Sequence, residues 1–351
     1  MIGRALHATL AGAGLCAVLS APSAFAQTVE YPVNPVALVT LSSPGGGTDV
    51  FLREVIKHLG PIMGVDFVIE NVAGGAGAAA MAHTATAAND GSVLFGTTPT
   101  IVNTSLLSDP DYGYEDLSMV ANFFFDPSIL YVRADSEFQT LQDVLDYAEA
   151  NPGELKFGLS TPTSQDRYVV EKLKALENIE ITAVSFDGGG DLQLAMLNGT
   201  VEVSNGEPTE MLPRIESGEV RPLVVWTDER LGVLPDVPTA KELGLDISMF
   251  KFRGLAGPKD LPEDVLAAWD EAAALLMEDP EFKAWYEPAG LIPALMPAAE
   301  AQAFMDEFLV EQGNFFRSIE VIGSSSARPS SSARWAARTA IVSSVARRRS
   351  R

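Results

Sequence analysis

The chain has 351 residues, 47% of them hydrophobic and 20% charged, an ordinary globular balance with length enough for two domains. Its formal charge is −23, and the segment 323–351 holds seven arginines and no acid, so the rest carries 17 basic residues against 47 acidic ones. A body that acidic repels nucleic acid and anionic lipid, which excludes both as partners of the folded part.

At the start, Arg4 and His7 precede a weakly apolar stretch over 8–19, followed by Pro22 and Ala24-Phe25-Ala26 before Gln27. A basic beginning, a short apolar centre and an A-x-A site spell a secretory signal peptide over 1–26, with a mature chain from Gln27 in the periplasm. The apolar stretch is too short to span a bilayer. Leu15 precedes Cys16, where lipoprotein processing wants a small residue, so a soluble product is expected. Cys16 is the chain's one cysteine, so the mature protein has no disulfide and no thiolate–metal chemistry. Downstream, the longest uncharged stretch, 72–89, is Gly, Ala and Thr, too weakly apolar for a membrane span.

Strand-like apolar runs then alternate with helical patterns. Strands are expected over 36–41, 67–70, 93–95, 129–132, 155–159, 181–186, 201–204 and 223–226. The first helix, 50–63, places apolar residues at 51, 52, 55, 56, 59, 62 and 63 on one face, and further helices are expected over 141–150, 168–176, 192–197, 262–277 and 280–286. Alternation of this kind means an α/β fold with largely parallel sheets, and no solenoid repeat is visible. One internal echo exists: LSSPGGGTD (41–49) and LSTPTSQD (159–166) both carry a strand through Leu-Ser-Ser/Thr-Pro into a helix. It is either a coincidence of turn-rich text or a pair of similar lips presented to one ligand by two domains.

Catalysis is hard to staff. His7 leaves with the signal peptide, and His58 and His83 fall on predicted helices, where packing or surface roles are commoner than catalysis. There is no H-E-x-x-H, no pair of histidines at metal spacing and no EF-hand loop, so no cofactor or metal is expected. Gly158-Leu159-Ser160-Thr161-Pro162 misses the G-x-S-x-G elbow at its last position. The SSPGGGTD loop lacks the Lys-Ser/Thr of a P-loop. Gly75-Ala76-Gly77 and Ala80 match G-x-G-x-x-A, a weak sign of dinucleotide binding that follows the second strand rather than the first.

The same glycines serve binding without a reaction. Backbone N–H groups at a helix start are unsatisfied and partly positive, and glycine lets a ligand approach them, so a carboxylate can bind there without Lys or Arg. Thr48 adds a hydroxyl. Asp49 has two readings, a helix cap or a polar anchor for ordered water at the ligand.

The chain resembles the Bug-type receptors of tripartite tricarboxylate transporters from about Tyr31 to Ile322. The likeness rests on Tyr31-Pro32 with Pro35-Val36, on Ser43 to Asp49, on Glu70-Asn71 with Gly74-Gly75-Ala76-Gly77, on Phe186-Asp187-Gly188-Gly189-Gly190, on Leu234-Pro235-Asp236-Val237-Pro238-Thr239 and on Gly254-Leu255-Ala256-Gly257-Pro258. It implies a two-domain periplasmic binding protein of type II-like α/β fold, each domain a mainly parallel sheet flanked by helices, joined by crossing strands. Domain 1 would comprise 27–125 plus 228–322 and domain 2 126–227. It further implies a monomeric solute receptor that closes on a small carboxylate and delivers it to one large and one small integral permease subunit. The ligand groups implied are Ser42, Ser43, Gly45, Gly46, Thr48 and Asp49 in the first loop, Gly75, Thr97 and Thr98, then Ser160, Thr161, Thr163, Ser164 and Asp187 in the second domain. The chain departs from the family pattern at Thr161-Pro162-Thr163 and Arg167, where many relatives have glycines and a histidine, at Asp187, where many have lysine, and at Ala78 in place of a frequent asparagine. An exported hydrolase or dehydrogenase, and a sensory receptor for a membrane kinase, are the competing classes.

The Ser/Arg/Ala-rich stretch 323–351 has no apolar periodicity and lies beyond the likeness, so a disordered or out-of-frame extension is favoured over a basic arm. Deleting it should leave the melting temperature and ligand binding unchanged at physiological salt, where contacts with the acidic body are screened. A loss of several degrees would show that the segment packs.

Overall fold

The structure, a computed structural model, describes residues 29–321. The expected signal peptide and the tail lie outside the described residues. In chain order the elements are β1 (Val36–Thr40), α1 (Gly47–Met63), β2 (Phe67–Asn71), α2 (Ala78–Ala85), β3 (Val93–Thr97), α3 (Thr100–Ser108), β4 (Leu117–Pro127), β5 (Ile129–Arg133), α4 (Leu141–Ala150), β6 (Lys156–Leu159), α5 (Gln165–Glu177), β7 (Thr182–Ser185), α6 (Gly189–Leu197), β8 (Val203–Gly206), α7 (Pro208–Glu216), β9 (Val220–Val225), β10 (Phe250–Pro258), α8 (Glu263–Glu278), α9 (Pro280–Tyr286), β11 (Ile292–Pro297) and α10 (Ala298–Ser318).

These elements build two sheets, ordered β11-β4-β10-β3-β1-β2 and β7-β6-β8-β5-β9. Each has a parallel βαβ centre, β2-β1-β3 in one and β7-β6-β8 in the other, where apolar runs are covered by helices. The α/β class is as expected, but the sheets are mixed rather than mainly parallel. β4, β10 and β11 pair antiparallel in the first, and β5 and β9 in the second. The reason is connectivity: β4 runs straight on into β5, and β9 leads back toward β10, so strands that cross between sheets enter them against the parallel direction.

The crossing positions correct the expected boundaries. The chain leaves the first sheet at Ser128, and on the return Leu231, Leu234, Val237, Ala240, Leu245, Ile247 and Met249 pack in the core of the second sheet. The first sheet resumes at Phe250, not at 228, because these apolar side chains find their burial under β9. The two crossings are tied to each other, with the Trp226 N–H donating to Ser128 O (2.9 Å) and the Met249 N–H to Trp226 O (2.6 Å).

β10 is the strand that places the site. It is buried between β3 and β4, with register shifts on either side of Gly254 and Leu255. A Cβ on Gly254 would run into the carbonyl oxygen of Ala121 and stand 2.9 Å from Asn122 Cα, both backbone, so only glycine lets β10 and β4 pair here. Gly254→Ala should lower stability by about 1–3 kcal/mol, the usual cost of overpacking. Urea unfolding reads it; an unchanged midpoint would mean that the strands spread freely at this point.

Candidate functional site

The cleft between the two sheets ends in a cavity of about 40 Å³ whose walls come from both lobes. Helix starts from both lobes converge on it. α1 begins after Gly46 and α6 after Gly188, neither capped by a side chain among the described residues, α3 brings Thr100, α7 brings Glu207 and Glu210, and the loop before α5 supplies Ser160 and Thr161. Uncapped helix starts leave N–H groups free to meet an anion.

The triple glycine finds its explanation here. A Cβ on Gly46 would collide with Ser42 Oγ and lie 3.4 Å from the Gly190 N–H nitrogen, and one on Gly188 would strike Ser43. The two glycine loops, SSPGGG of the first lobe and DGGG of the second, therefore press backbone to backbone across the cleft. Gly46 serves closure between lobes, and it is Gly47 and Thr48, one step further on, that line the cavity.

Of the ligand groups expected from the sequence, Ser42, Thr48, Thr98, Ser160 and Thr161 line the cavity. Nine are placed elsewhere. Ser43 and Gly46 lie in the loop-to-loop contact, and Gly45 is exposed at φ +85°. Asp49 does not line the cavity, and its carboxylate is turned to the backbone before its own helix. Its carboxylate accepts from the Gly45 N–H (3.0 Å), from Arg53 Nε (2.9 Å) and from Asn71 Nδ2 (2.9 Å), holding the loop from behind. Burial works against its charge, but these donors win and hold its carboxyl below the usual range. Gly75 is exposed in the turn before α2, and the neighbouring Ala76 carbonyl accepts from Thr104 (2.7 Å). Thr97 is buried at the end of β3 opposite Gly254. Thr163 meets Thr104 Oγ1 across the cleft at 2.5 Å. Ser164 donates to Asp166 (2.8 Å), and Asp187 is exposed. The echo between the two loops is structural, since Asp49 in the first turn of α1 accepts from Gly45 N and Asp166 in the first turn of α5 from Ser160 N (2.8 Å).

What sequence reading missed is the charged floor. Lys251 and Arg253, two apart on β10, point the same way into the cleft. Arg253 donates to Asp126 Oδ2 through Nε (2.9 Å) and Nη2 (2.7 Å), to Glu207 Oε2 (3.2 Å) and to Thr48 Oγ1 (2.9 Å). Lys251 pairs with Glu207 Oε1 and lies 3.8 Å from Asp166 Oδ1. Glu210 accepts from Gln193 Nε2 (2.9 Å). Glu207 and Glu210 both sit at the start of α7, where the helix dipole favours negative charge. The signal was present as two cations at i and i+2 in an otherwise apolar strand, and as Glu-Pro-Thr-Glu at a strand-to-helix turn.

Burial pushes the Asp126 carboxyl up to about 6, with Arg253 opposing and Glu207 adding to the rise. Burial and then Glu207 push Glu210 up to about 8. Desolvation disfavours charge on Lys251 and Arg253, but their carboxylate partners outweigh it and hold both above their ordinary values.

His58 and His83 stand away from the cavity, beside Asp279 (3.2 Å) and Glu70 (3.1 Å). Among the described residues no cluster of three or more His, Cys, Asp or Glu could hold a metal ion, and no helix is long and apolar enough to cross a membrane.

Two α/β lobes closing on a polar cavity lined by helix starts are the architecture of a periplasmic solute-binding protein. The family model described as "Tripartite tricarboxylate transporter family receptor" matches residues 51–321, and the chain belongs to that family. It is 27% identical over 305 residues to the "UPF0065 protein in gbd 5′ region" of Cupriavidus necator, covering 86% of this chain and 92% of the relative. The fold is that of the periplasmic binding protein BugD, at TM-score 0.78 and 21% identity over 83% of this chain and 99% of the other. It is equally similar, at TM-score 0.78 and 25% identity, to the structure of R. palustris Rpa4515 with adipate, covering 83% and 98% of the two chains.

The raised Glu210 carboxyl has a consequence for stability. Its folded value lies above the ordinary 4.5, so the proton it retains stabilises the folded form fully below that value, and the benefit is lost as pH rises toward about 8. Glu210→Gln should match wild type at low pH, below the ordinary 4.5, and be the more stable protein at pH 8, the gap widening by up to about 1.4 kcal/mol per pH unit in between. Melting curves across this range check it; parallel profiles would show that Glu210 titrates normally.

Proposed function

We propose that this protein is a non-catalytic receptor that binds a small carboxylate in the cleft and hands it to a membrane permease of one large and one small integral subunit. The observation that carries the reading is the convergence of the uncapped starts of α1 and α6 on one cavity, joined by the hydroxyls of Ser42, Thr48, Ser160 and Thr161. Such groups hold an anion with little help from free cations, and here the two cations of the floor are already engaged by carboxylates. Family membership supports delivery to a tripartite transporter, and adipate in the R. palustris protein supports a carboxylate ligand.

The cavity of about 40 Å³ has room for a few waters at roughly 10–15 Å³ each, so a ligand of adipate's size enters only when the lobes part. Contacts that stand in the way include Thr104–Thr163 and Asn103 Nδ2 to Gln165 Oε1 (3.2 Å), both between α3 and the second lobe, and the pairs of Lys251 and Arg253 with Glu207. Closure then surrounds the anion with donors from both sides, as in other hinge-closing receptors. A histidine-activated serine does not support an enzyme reading: Ser160 Oγ donates to Asp166 (2.6 Å), and the two described histidines stand beside Asp279 and Glu70.

Thr161 tests the reading. Its hydroxyl is buried at the cavity with no hydrogen-bond partner among the described residues. Thr161→Val should leave stability unchanged or slightly raised, while weakening the best carboxylate by about 1 kcal/mol, roughly fivefold. Calorimetry with mono-, di- and tricarboxylates measures this. If no carboxylate binds, or Thr161→Val binds as well as wild type, the assignment of this cavity is wrong.

A further inference from the structure

A second cavity, of about 210 Å³, lies away from the cleft and shares no lining residue with it. Its walls are α10 of the first lobe, α5 of the second and the crossing segment 248–250. Strand geometry separates the two spaces. Lys251 and Arg253 leave β10 toward the cleft floor, whereas Phe250 and Phe252, one step out of phase, leave it on the other face toward α10.

The face that α10 turns to this cavity is mixed. Phe304, Glu307, Phe308, Glu311 and Gln312 follow the i, i+3, i+4, i+7, i+8 spacing of one helical stripe, which on a helix covering a core is apolar throughout. Here aromatic rings share the stripe with two acids and an amide. Phe304 and Phe308 stack on each other at 6.3 Å, with Phe252 edge-on to both from behind. Tyr168 of α5 supplies a ring from the second lobe.

The polar members lack what their chemistry asks for. Glu307 and Glu311 are one helical turn apart, where like charges repel, and among the described residues neither has an ion-pair partner. Gln312 is 3% exposed, and its Oε1, which can only accept, is buried with no hydrogen-bond partner. Buried amide oxygens are normally satisfied. Negative charge is felt at the opposite wall too: burial first, then Glu311 and Asp246, push the Tyr168 hydroxyl up to about 12. The rings here already draw one ammonium group. Lys172 Nζ stands 5.6 Å from the Tyr168 centroid and 5.3 Å from that of Phe315, without lining the cavity.

Three demands therefore meet in one space: a donor for Gln312, positive charge for two acids and an apolar body for the rings. An anion meets the repulsion of Glu307 and Glu311. A neutral apolar molecule leaves Gln312 Oε1 unsatisfied. A bare metal ion offers the rings no apolar body, and among the described residues no cluster suits one. Size is no obstacle, since the cavity has space for about 14–20 waters at roughly 10–15 Å³ each.

We propose that this cavity is a second ligand site, taking a primary ammonium ion on an apolar or aromatic stem, the ammonium group donating to Gln312 Oε1 beside Glu307 and Glu311 and the stem lying against Phe304, Phe308 and Tyr168. The occupant touches both lobes, outside the cleft that receives the carboxylate.

The test uses two stems, n-butyl and 2-phenylethyl, each carrying in turn a primary amine, an N-trimethylammonium group and a hydroxyl. Calorimetry on the full chain at pH 7.5 and physiological salt, which screens unspecific attraction to the acidic surface, measures binding. At least one amine should bind more than about tenfold tighter than its alcohol, which lacks the charge, and more than about threefold tighter than its trimethyl derivative, which keeps the charge but has no N–H to donate. Glu311→Gln should bring the first ratio to within about threefold, and Gln312→Leu should bring the second close to unity. Glu149→Gln, at an exposed acid of α4, and Thr161→Val, in the cleft, should change neither ratio. The proposal is overturned if no amine binds, if the alcohols bind as tightly as the amines, or if Glu149→Gln weakens the amine as much as Glu311→Gln does. Loss of amine binding in Thr161→Val would put the amine in the cleft and overturn it as well. Where Gln312→Leu unfolds, the three heads compared on the wild-type protein decide the matter. The carboxylate reading stands or falls separately, on its own ligands.

Discussion

The pairing of Arg253 with Asp126 and Glu207 is the interaction on which the closed structure depends. Arg253 and Asp126 belong to adjacent strands of the first sheet, and Glu207 to the turn after β8 in the second. A guanidinium buried this deeply costs several kcal/mol to desolvate, and the cost is met only while its carboxylates stay in place. Removing one member would leave charge unpaired in the cleft. The network therefore acts less as a source of net stability than as a requirement for one arrangement of the two lobes.

Around that network the lobes meet through groups that permit close approach and separation. Gly46 and Gly47 face Gly188, Gly189 and Gly190 across the cleft, so backbone touches backbone and helix starts converge on the same small volume. On another side α10 reaches over to the second lobe, with Phe315 against Tyr168 at 4.5 Å and Lys172 above both rings. The polar contacts between α3 and the loop before α5 complete the closed form. None of these is a large apolar interface, which suits a protein whose lobes must part to admit a solute.

The binding loops were legible in the text to different depths. The first loop and its echo were recognisable because strand, Leu-Ser-Ser/Thr-Pro and helix recur in order, and both do sit at the cleft. Within them, position along the chain did not tell which side chains face the ligand space. Ser42 and Thr48 do, whereas Asp49, in the same motif, turns away to Arg53 and Asn71. Thr163 and Ser164 were expected beside Ser160 and Thr161, yet they bond to Thr104 and Asp166. The turn over 160–164 separates them, since the chain reverses there before α5 begins at Gln165 and neighbouring side chains leave it in different directions.

The sequence by itself determined the α/β class and showed the two Leu-Ser-Ser/Thr-Pro turns between strand and helix, because hydrophobic period and turn chemistry are local properties. Asn71 and Gly254 stand in stretches on which the family resemblance rests, and the structure supplies their physical reasons, a loop tied by an amide and a strand with no room for Cβ. Only the tertiary structure decided the mixed sheets, the return of 231–249 to the second core and the charged floor of the cleft. Asp126, Glu207, Lys251 and Arg253 are scattered over more than a hundred residues of chain, and the local pattern, two cations two apart in an apolar strand, does not say which acids they meet. They become one site because β4 and β10 cross between the sheets side by side, and a charge buried at that crossing must find its partner wherever the other strands end.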